Sequence, residues 1–260
     1  MLDRIRLVVG IISYVRNWYC LIIYFAARRL GSERRVVLLL RNGVRFRYVA
    51  GSSLYNVIIR GLYGVADVRG RDVVDVGAFS GDSILAFHIR GARMVLGFEP
   101  YPYAYKIACE NIEINGVKSA TCVNAAIGGE QGEVIIDPNY TSSIGDQLRD
   151  FGNGVRIQVL TLDQVISRYH LSDAVLKLNC EGSEYGILFG SSNETLSAFS
   201  EIIVQYHFGI DGLVNKLVSC GYAVDTVQKE KVVSRRRSSS KTLVTGILIA
   251  KKSASRALTA

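Results

Sequence analysis

The chain has few prolines, three in 260 residues, and only three histidines, His88, His170 and His207, far apart in sequence. Its five cysteines (Cys20, Cys109, Cys122, Cys180, Cys220) are odd in number, scattered, and never spaced Cys-x-x-Cys. A disulfide framework or a zinc site needs paired or clustered ligands. Neither is expected, no metal is expected, and a reducing compartment fits. No internal repeat is visible. Negative charge is also short, with 23 Asp and Glu against 31 Lys and Arg, for a net charge of +8. The excess lies near the N-terminus (Arg4, Arg6, Arg16, Arg28, Arg29, Arg34, Arg35) and in Arg235-Arg236-Arg237 with Lys241. Such clusters suit an anionic membrane or nucleic acid, or stand as solvated surface. No aromatic residue interleaves the Arg-Arg-Arg-Ser-Ser-Ser stretch, so base stacking is unsupported and nucleic acid is not the expected partner. With 49% hydrophobic residues, the chain has ample core for one large domain or a core with an appendage.

One long apolar stretch is present. Residues 7–27 are apolar from Leu7 to Val15 and from Trp18 to Ala27, interrupted by Arg16 and Asn17. A spanning helix needs about 20 apolar residues, and an arginine at its centre costs roughly 2.5–3.5 kcal/mol. No small-residue cleavage site follows, which argues against a signal peptide. Three readings stay open: two short helices packed on the domain, a dimerising surface, or an interfacial segment. In the last, Trp18, Tyr19 and Tyr24 sit at headgroup level with arginines on the cytoplasmic side. The expected division is a helical segment over 1–34, a lead-in over 35–70, a core over 71–251 and a tail over 252–260. The expected location is cytoplasmic, free or attached to a membrane.

Val36–Leu40 and Val44–Val49 flank Arg41-Asn42-Gly43, a strong hairpin signal because Asn and Gly tolerate positive φ. Residues 53–63 read as helical. From residue 71 strands are predicted at 72–76, 93–98, 119–124, 174–179, 201–206, 222–227 and 242–250. Helices are predicted near 82–90, 102–115, 161–168, 184–189 and 210–220. This alternation predicts an α/β fold, a mostly parallel sheet with helices on both faces. Residues 129–160 break the rhythm. Glu133–Asp137 is strand-like and Asn139–Gly154 is polar, a candidate substrate lid near the carboxyl ends of the strands.

The most informative phrase is Val73-Val74-Asp75-Val76-Gly77-Ala78-Phe79-Ser80-Gly81-Asp82, followed by Phe98-Glu99-Pro100. It reads as a buried strand, a glycine turn, a helix start, and a second strand ending in a carboxylate. Gly77 lets backbone approach a ligand, and the helix after Gly81 aims its N–H groups at the ligand's polar end. Glu99 has two acceptor oxygens for two ribose hydroxyls. Dinucleotide folds place a second glycine where this chain has Phe79, and no Gly-Lys-Ser/Thr follows, so a pyrophosphate is not expected.

Asp-x-Gly-x-x-x-Gly with a later acidic residue is similar to the class I methyltransferases, which bind S-adenosylmethionine, a ligand without phosphate. More specifically, the chain resembles the FkbM-type methyltransferases from about residue 72 to 227. The matching phrases are 73–78, Gly81-Asp82, 98–100, Glu110–Gly116, Asn124–Gly128, Thr161-Leu162-Asp163, Lys177–Glu184 and Ile202–His207. The resemblance implies a Rossmann-like sheet with an antiparallel last strand. It also implies methyl transfer, usually to oxygen, on a glycan, lipid or small metabolite. By the same resemblance, Asp75, Gly77, Ala78 and Gly81 surround the methionine part of the cofactor. Glu99 and Pro100 hold the ribose, Asn124 and Ala125 flank the adenine, and Asn179 lies in the phrase beside the transferred methyl. Three positions depart from the family pattern: Phe79 replaces Asn, Asn179 replaces Asp, and Gln205 replaces Glu.

Methyl transfer from a sulfonium is an in-line displacement that brings the acceptor to about 3–3.5 Å and, for a hydroxyl, removes its proton. The candidate base is His207, at the carboxyl end of the fifth strand, with Glu181 and Glu184 as alternatives. Each also has a plain structural reading, a strand-capping histidine and charges at a helix N-terminus. Lys177, in a buried strand, needs a carboxylate partner, Glu181 or Glu99. Two other functions stay in view. The amides at 179 and 205 suit a SAM-binding interaction protein at the membrane that has lost catalysis. The net charge suits an RNA methyltransferase, although no Asn-Pro-Pro-Tyr-like phrase for a base amine is present.

Overall fold

The computed structural model describes residues 9–31, 36–49, 54–140, 148–233 and 243–253, so the Arg235–Arg237 cluster lies outside the described residues. The chain opens with α1 (residues 9–14), a turn at Arg16–Trp18, and α2 (Tyr19–Arg29). These are two short helices packed on the hairpin of β1 (Val36–Leu39) and β2 (Arg45–Tyr48), where Val15 is fully buried and bridges to Leu40. Asn17 donates to the Val37 carbonyl and accepts from the Leu39 N–H. No described helix is long and apolar enough to cross a membrane. Where a helix was predicted over 53–63, the structure has one π-helical turn, Tyr55–Ile59, and left-handed Gly61 follows shortly after its end.

The core then alternates: β3 (Asp72–Val76), α3 (Asp82–Ile89), β4 (Met94–Phe98), α4 (Pro102–Ile114) and β5 (Ala120–Val123). Next come β6 (Ala126–Ile127), β7 (Gly132–Ile136), β8 (Val155–Leu160), α5 (Leu162–Tyr169), β9 (Ala174–Leu178), α6 (Glu184–Gly190) and α7 (Asn193–Ser197). The chain ends with β10 (Phe199–Tyr206), α8 (Asp211–Ser219), β11 (Tyr222–Val233) and β12 (Leu243–Lys252). Seven strands form one sheet in the order β11-β12-β10-β9-β3-β4-β5. Its pairs from β10 to β5 are parallel, and β12 runs antiparallel to both neighbours. This is the Rossmann-like sheet with an antiparallel last strand that the sequence implies.

The strand residues divide between two apolar layers by the two-residue period of a pleat. Val73, Val95, Val175 and Ile203 face α3 and the hairpin. Val74, Leu96, Leu176 and Val204 face α5, α6 and α8. Covering both faces is what makes β3 and β9 continuous apolar runs rather than alternating ones. Each fully buried Val or Leu there contributes about 1.5–3 kcal/mol. Local signals set the helix starts. Pro102 opens α4, where a missing N–H costs nothing. Thr161 and Gln164 form a reciprocal capping box on α5.

The stretch 129–160 differs from the single strand and polar loop expected. It carries two strands, β7 and β8, which join β6 just before it in a three-stranded sheet of order β6-β8-β7, packed through Val134, Ile136 and Ile157 onto Tyr101 and Ala104. The alternation Val155, Ile157, Val159 was the signal for its extra strand. Of the connecting loop, residues 141–147 lie outside the described residues. The short helix α7 was also not predicted; Ser192 caps it by accepting from the Thr195 N–H.

Candidate active site

A cleft opens at the carboxyl ends of β3, β4 and β9, floored by the turn that leaves β3. Gly77 there has φ 77°, and a Cβ at this position would overlap the carbonyl oxygen of Asn179. Only glycine meets both conditions without strain. Phe79 also has a positive φ, 45°, uncommon for a bulky residue. Its N–H donates to Glu99 Oε2 (2.8 Å), and the Tyr101 N–H donates to Glu99 Oε1 (3.0 Å). Glu99 is thus aimed by backbone on both sides of the cleft. Burial pushes its carboxyl up to about 7, although both N–H donors pull the other way. Each of its oxygens keeps a second lone pair. Gly81, at φ 81°, serves packing instead, because a Cβ there would press on Ala108 of α4.

Lys177 is the charged residue of β9, and register places it beside Asp75 of β3. Its Nζ lies 2.7 Å from Asp75 Oδ1 and donates to the carbonyls of Val76 (3.1 Å) and Gly77 (2.8 Å). Three donors meet three acceptors, with both side chains buried. Burial alone would lower the ammonium's pKa, but the adjacent Asp75 carboxylate raises it overall, so Lys177 keeps its charge. The partner is therefore Asp75, not the expected Glu181 or Glu99. The pair braces the glycine turn from behind, and Ser83 Oγ holds the second Asp75 oxygen at 2.5 Å.

His207 follows β10 directly and sits between two carboxylates. Its Nδ1 is 2.7 Å from Glu184 Oε1, and its Nε2 is 3.4 Å from Glu181 Oε2. Glu184 is fully buried at the start of α6, and its second oxygen accepts from the Gly182 N–H at 2.9 Å. Glu181 has φ 55° and lines the cleft, whereas His207 and Glu184 stand behind it. A left-handed non-glycine residue beside a cleft is stored strain of the kind that collects at functional sites.

The two amides at unusual positions meet at one hydroxyl. Asn179 Nδ2 donates to Tyr63 Oη (3.2 Å), and Tyr63 Oη lies 3.4 Å from Gln205 Oε1, to which it donates. Burial raises the Tyr63 phenol to about 12, so it holds its proton. Asn179 Oδ1 is buried with no hydrogen-bond partner.

The family model for the methyltransferase FkbM domain matches residues 75–224, more than half of the chain. The chain belongs to the FkbM methyltransferase family. The family is one of S-adenosylmethionine-dependent methyltransferases. A curated relative, a candidate protein N5-glutamine methyltransferase of Methanocaldococcus jannaschii, is 27% identical over 92 residues, 34% of this chain. The match spans about half the length of that relative, 47%. Among solved structures, a candidate transferase of Pyrococcus horikoshii is 15% identical at a TM-score of 0.49, covering 89% of this chain and 83% of that one. TYW2 of M. jannaschii in complex with AdoMet is 13% identical at 0.48, covering 84% and 85%. The fold rests on the strand order itself rather than on these distant likenesses.

The FkbM site fits its cofactor. The orphaned Asn179 Oδ1 in the cleft wall is an acceptor suited to an ammonium group, and Glu99 across the cleft offers spare lone pairs to hydroxyls. Of the sequence-predicted residues, Gly77, Glu99, Pro100, Lys177, Asn179 and Glu181 line the cleft. Asp75, Ala78, His207 and Glu184 lie behind its wall. Asn124 turns away, donating to the carbonyls of Glu99 (2.8 Å) and Pro100 (3.0 Å), and Ala125 is buried in the core. The cleft is lined instead by Ala126 and Ile127, two residues further along, with Tyr101 opposite. Tyr63, Phe79, Asp82 and Gln205 also line it and were not among the predicted site residues. Asp82 was readable as the acid opening the helix after the glycine turn. Tyr63 carried no local signal. His88 bonds the Ser119 hydroxyl and His170 closes α5, both away from the cleft.

Proposed function

We propose that the chain methylates a hydroxyl oxygen of a small molecule, glycan or lipid. The observation that carries this reading is the row Glu181–His207–Glu184. A hydroxyl must give up its proton as the methyl arrives, and this row is a route for it. S-adenosylmethionine, when bound, supplies the activated methyl of its sulfonium. The Gly77–Phe79 backbone takes the methionine part, and Asn179 Oδ1 accepts from its ammonium. Glu99, once ionised, accepts from the ribose hydroxyls. Pro100, Tyr101, Ala126 and Ile127 flank the adenine, with Asn124 holding the Glu99–Pro100 turn in place. Glu181 meets the acceptor hydroxyl and takes its proton. His207 Nε2 shares that proton, and Glu184 fixes the imidazole through Nδ1. Lys177 and Asp75 keep the turn rigid and touch no substrate.

A competing reading, a binding protein that has lost catalysis, draws on Asn179 and Gln205. Against it stands their mutual fit. One amide donates to Tyr63 and the other accepts from it, so the departures form a matched set rather than two gaps.

The test is transfer from methyl-labelled cofactor to panels of glycans, lipids, hydroxylated metabolites, peptides and RNA. The expected product is an alkali-stable ether. His207→Asn is expected to lower kcat by about 10²–10⁴-fold with cofactor affinity unchanged. Label confined to peptide or RNA nitrogen, or an unaltered kcat in the variant, overturns the proposal.

A further inference from the structure

The N-terminal helices turn an apolar stripe outward. On α2 and at its C-cap, Tyr19, Ile22, Ile23, Ala26 and Leu30 recur at helical spacing and are all exposed, Ile22 by 61% and Leu30 by 85%. Phe25 lies beside them, and Val9, Ile12 and Tyr14 continue the surface on α1. Leu21 and Ala27 are the α2 residues that pack inward. Single exposed apolar residues are ordinary, but a contiguous stripe of this kind marks an interaction site.

Charge selects the occupant. Exposed Arg16 stands at one end of α2, exposed Arg28 and Arg29 at the other, and no Asp or Glu occurs from Arg4 to Ser32. A second copy laid on this face, parallel or antiparallel, brings arginine against arginine with no counter-charge. An anionic bilayer surface offers apolar depth and negative headgroups together. The helices are too short to cross it. We propose that α1 and α2 dock in the headgroup layer of an anionic membrane.

The docked face connects to the cleft. Gly10 of α1 packs on the Tyr55 ring so closely that a Cβ would overlap it. Two residues on, in the same π-helical turn, Val57 lines the cleft. The wall of the site therefore rests on the segment that meets the lipid. Docking itself does not depend on which atom is methylated.

The experiment is flotation of the full chain with vesicles of phosphatidylcholine alone or mixed with phosphatidylserine, alongside sedimentation without lipid. The wild type is expected to float with the anionic vesicles only. Ile22→Glu with Ile23→Glu should abolish flotation while thermal unfolding stays unchanged, since both side chains are exposed. Arg28→Gln with Arg29→Gln should weaken anionic binding ~30-fold, from the usual contribution of a basic residue at such a surface. Wild-type protein that stays unbound to both vesicles overturns the proposal. So does a dimer in sedimentation that the two glutamates dissociate.

Discussion

Replacing Glu99 by glutamine isolates the protonation step that cofactor binding requires. The wild-type carboxyl is held near 7 because burial outweighs the N–H groups of Phe79 and Tyr101. In the proposed site ribose hydroxyls donate to the ionised form, so binding there first releases a proton. With a pKa of about 7, roughly a tenth of the sites are ionised at about pH 6 and nine-tenths at about pH 8, so affinity should rise about tenfold between them. Glu99→Gln keeps the shape and one acceptor but cannot titrate, and its affinity should be flat across the same range. Calorimetric titration with S-adenosylmethionine, in buffers of different ionisation enthalpy, reads both the affinity and the released proton. The apo protein gives a second readout. The folded chain keeps this proton up to about pH 7, whereas the unfolded chain loses it near the ordinary glutamate value of 4.5. Folding therefore takes up a proton between those values, and stability falls as pH rises through them, by about 3 kcal/mol in total. A wild-type affinity that does not change with pH, or an identical slope in Glu99→Gln, refutes the assignment of Glu99 to the ribose.

Two further substitutions test the architecture. Lys177→Met leaves Asp75 buried and uncompensated and should cost about 3–5 kcal/mol in urea denaturation, most of which the double variant with Asp75→Asn should restore. Joint restoration of the family acids, Asn179→Asp with Gln205→Glu, sets two acceptors against the one Tyr63 proton. It should destabilise the fold by about 1–3 kcal/mol and give no gain in methyl transfer; increased turnover would show the amides to be decay.

The sheet was legible because its signals are local. Apolar runs, turn glycines and the Thr161 cap mark strands and helix starts within a few residues of one another, and the elements predicted from 72 onward land within two residues of their expected bounds, except β11, which runs on to Val233; β6, β8 and α7 were not predicted. Glu99 was legible for the same reason, as the acid ending the strand after the glycine turn. Pairings across the sheet were not. Asp75 meets Lys177 because two parallel strands far apart in sequence adopt one register, and no local pattern reports that register. Glu184 looks like an ordinary acid in the first turn of a helix. Its burial against His207 follows only once α6 and the end of β10 are brought together. Tyr63 ends the stretch 53–63 that reads as helical, yet the chain leaves the helical turn at Ile59 and seats the phenol between the amides of Asn179 and Gln205. Of the pair expected to flank adenine, Asn124 turns inward to satisfy carbonyls and Ala125 is buried, while Ala126 and Ile127, two residues further on, line the cleft.

A two-stranded hairpin has two open edges and is marginal by itself in water. Here asparagine side chains finish both. Asn17 pairs with Val37 and Leu39 on the β1 edge. On the β2 edge, Asn115 exchanges both bonds with Arg45 and Asn111 exchanges both with Arg47. Asn111 also donates to the Ser80 carbonyl, so the same amide ties the hairpin to the glycine turn. A side-chain amide at these places imitates a missing strand, offering one donor and one acceptor to the ladder. Unlike a strand, it can age without a chain break. Hydrolysis of any one of the three would replace a donor with a carboxylate oxygen facing a backbone carbonyl. The hairpin would then loosen from the core while the sequence of its own two strands remained intact.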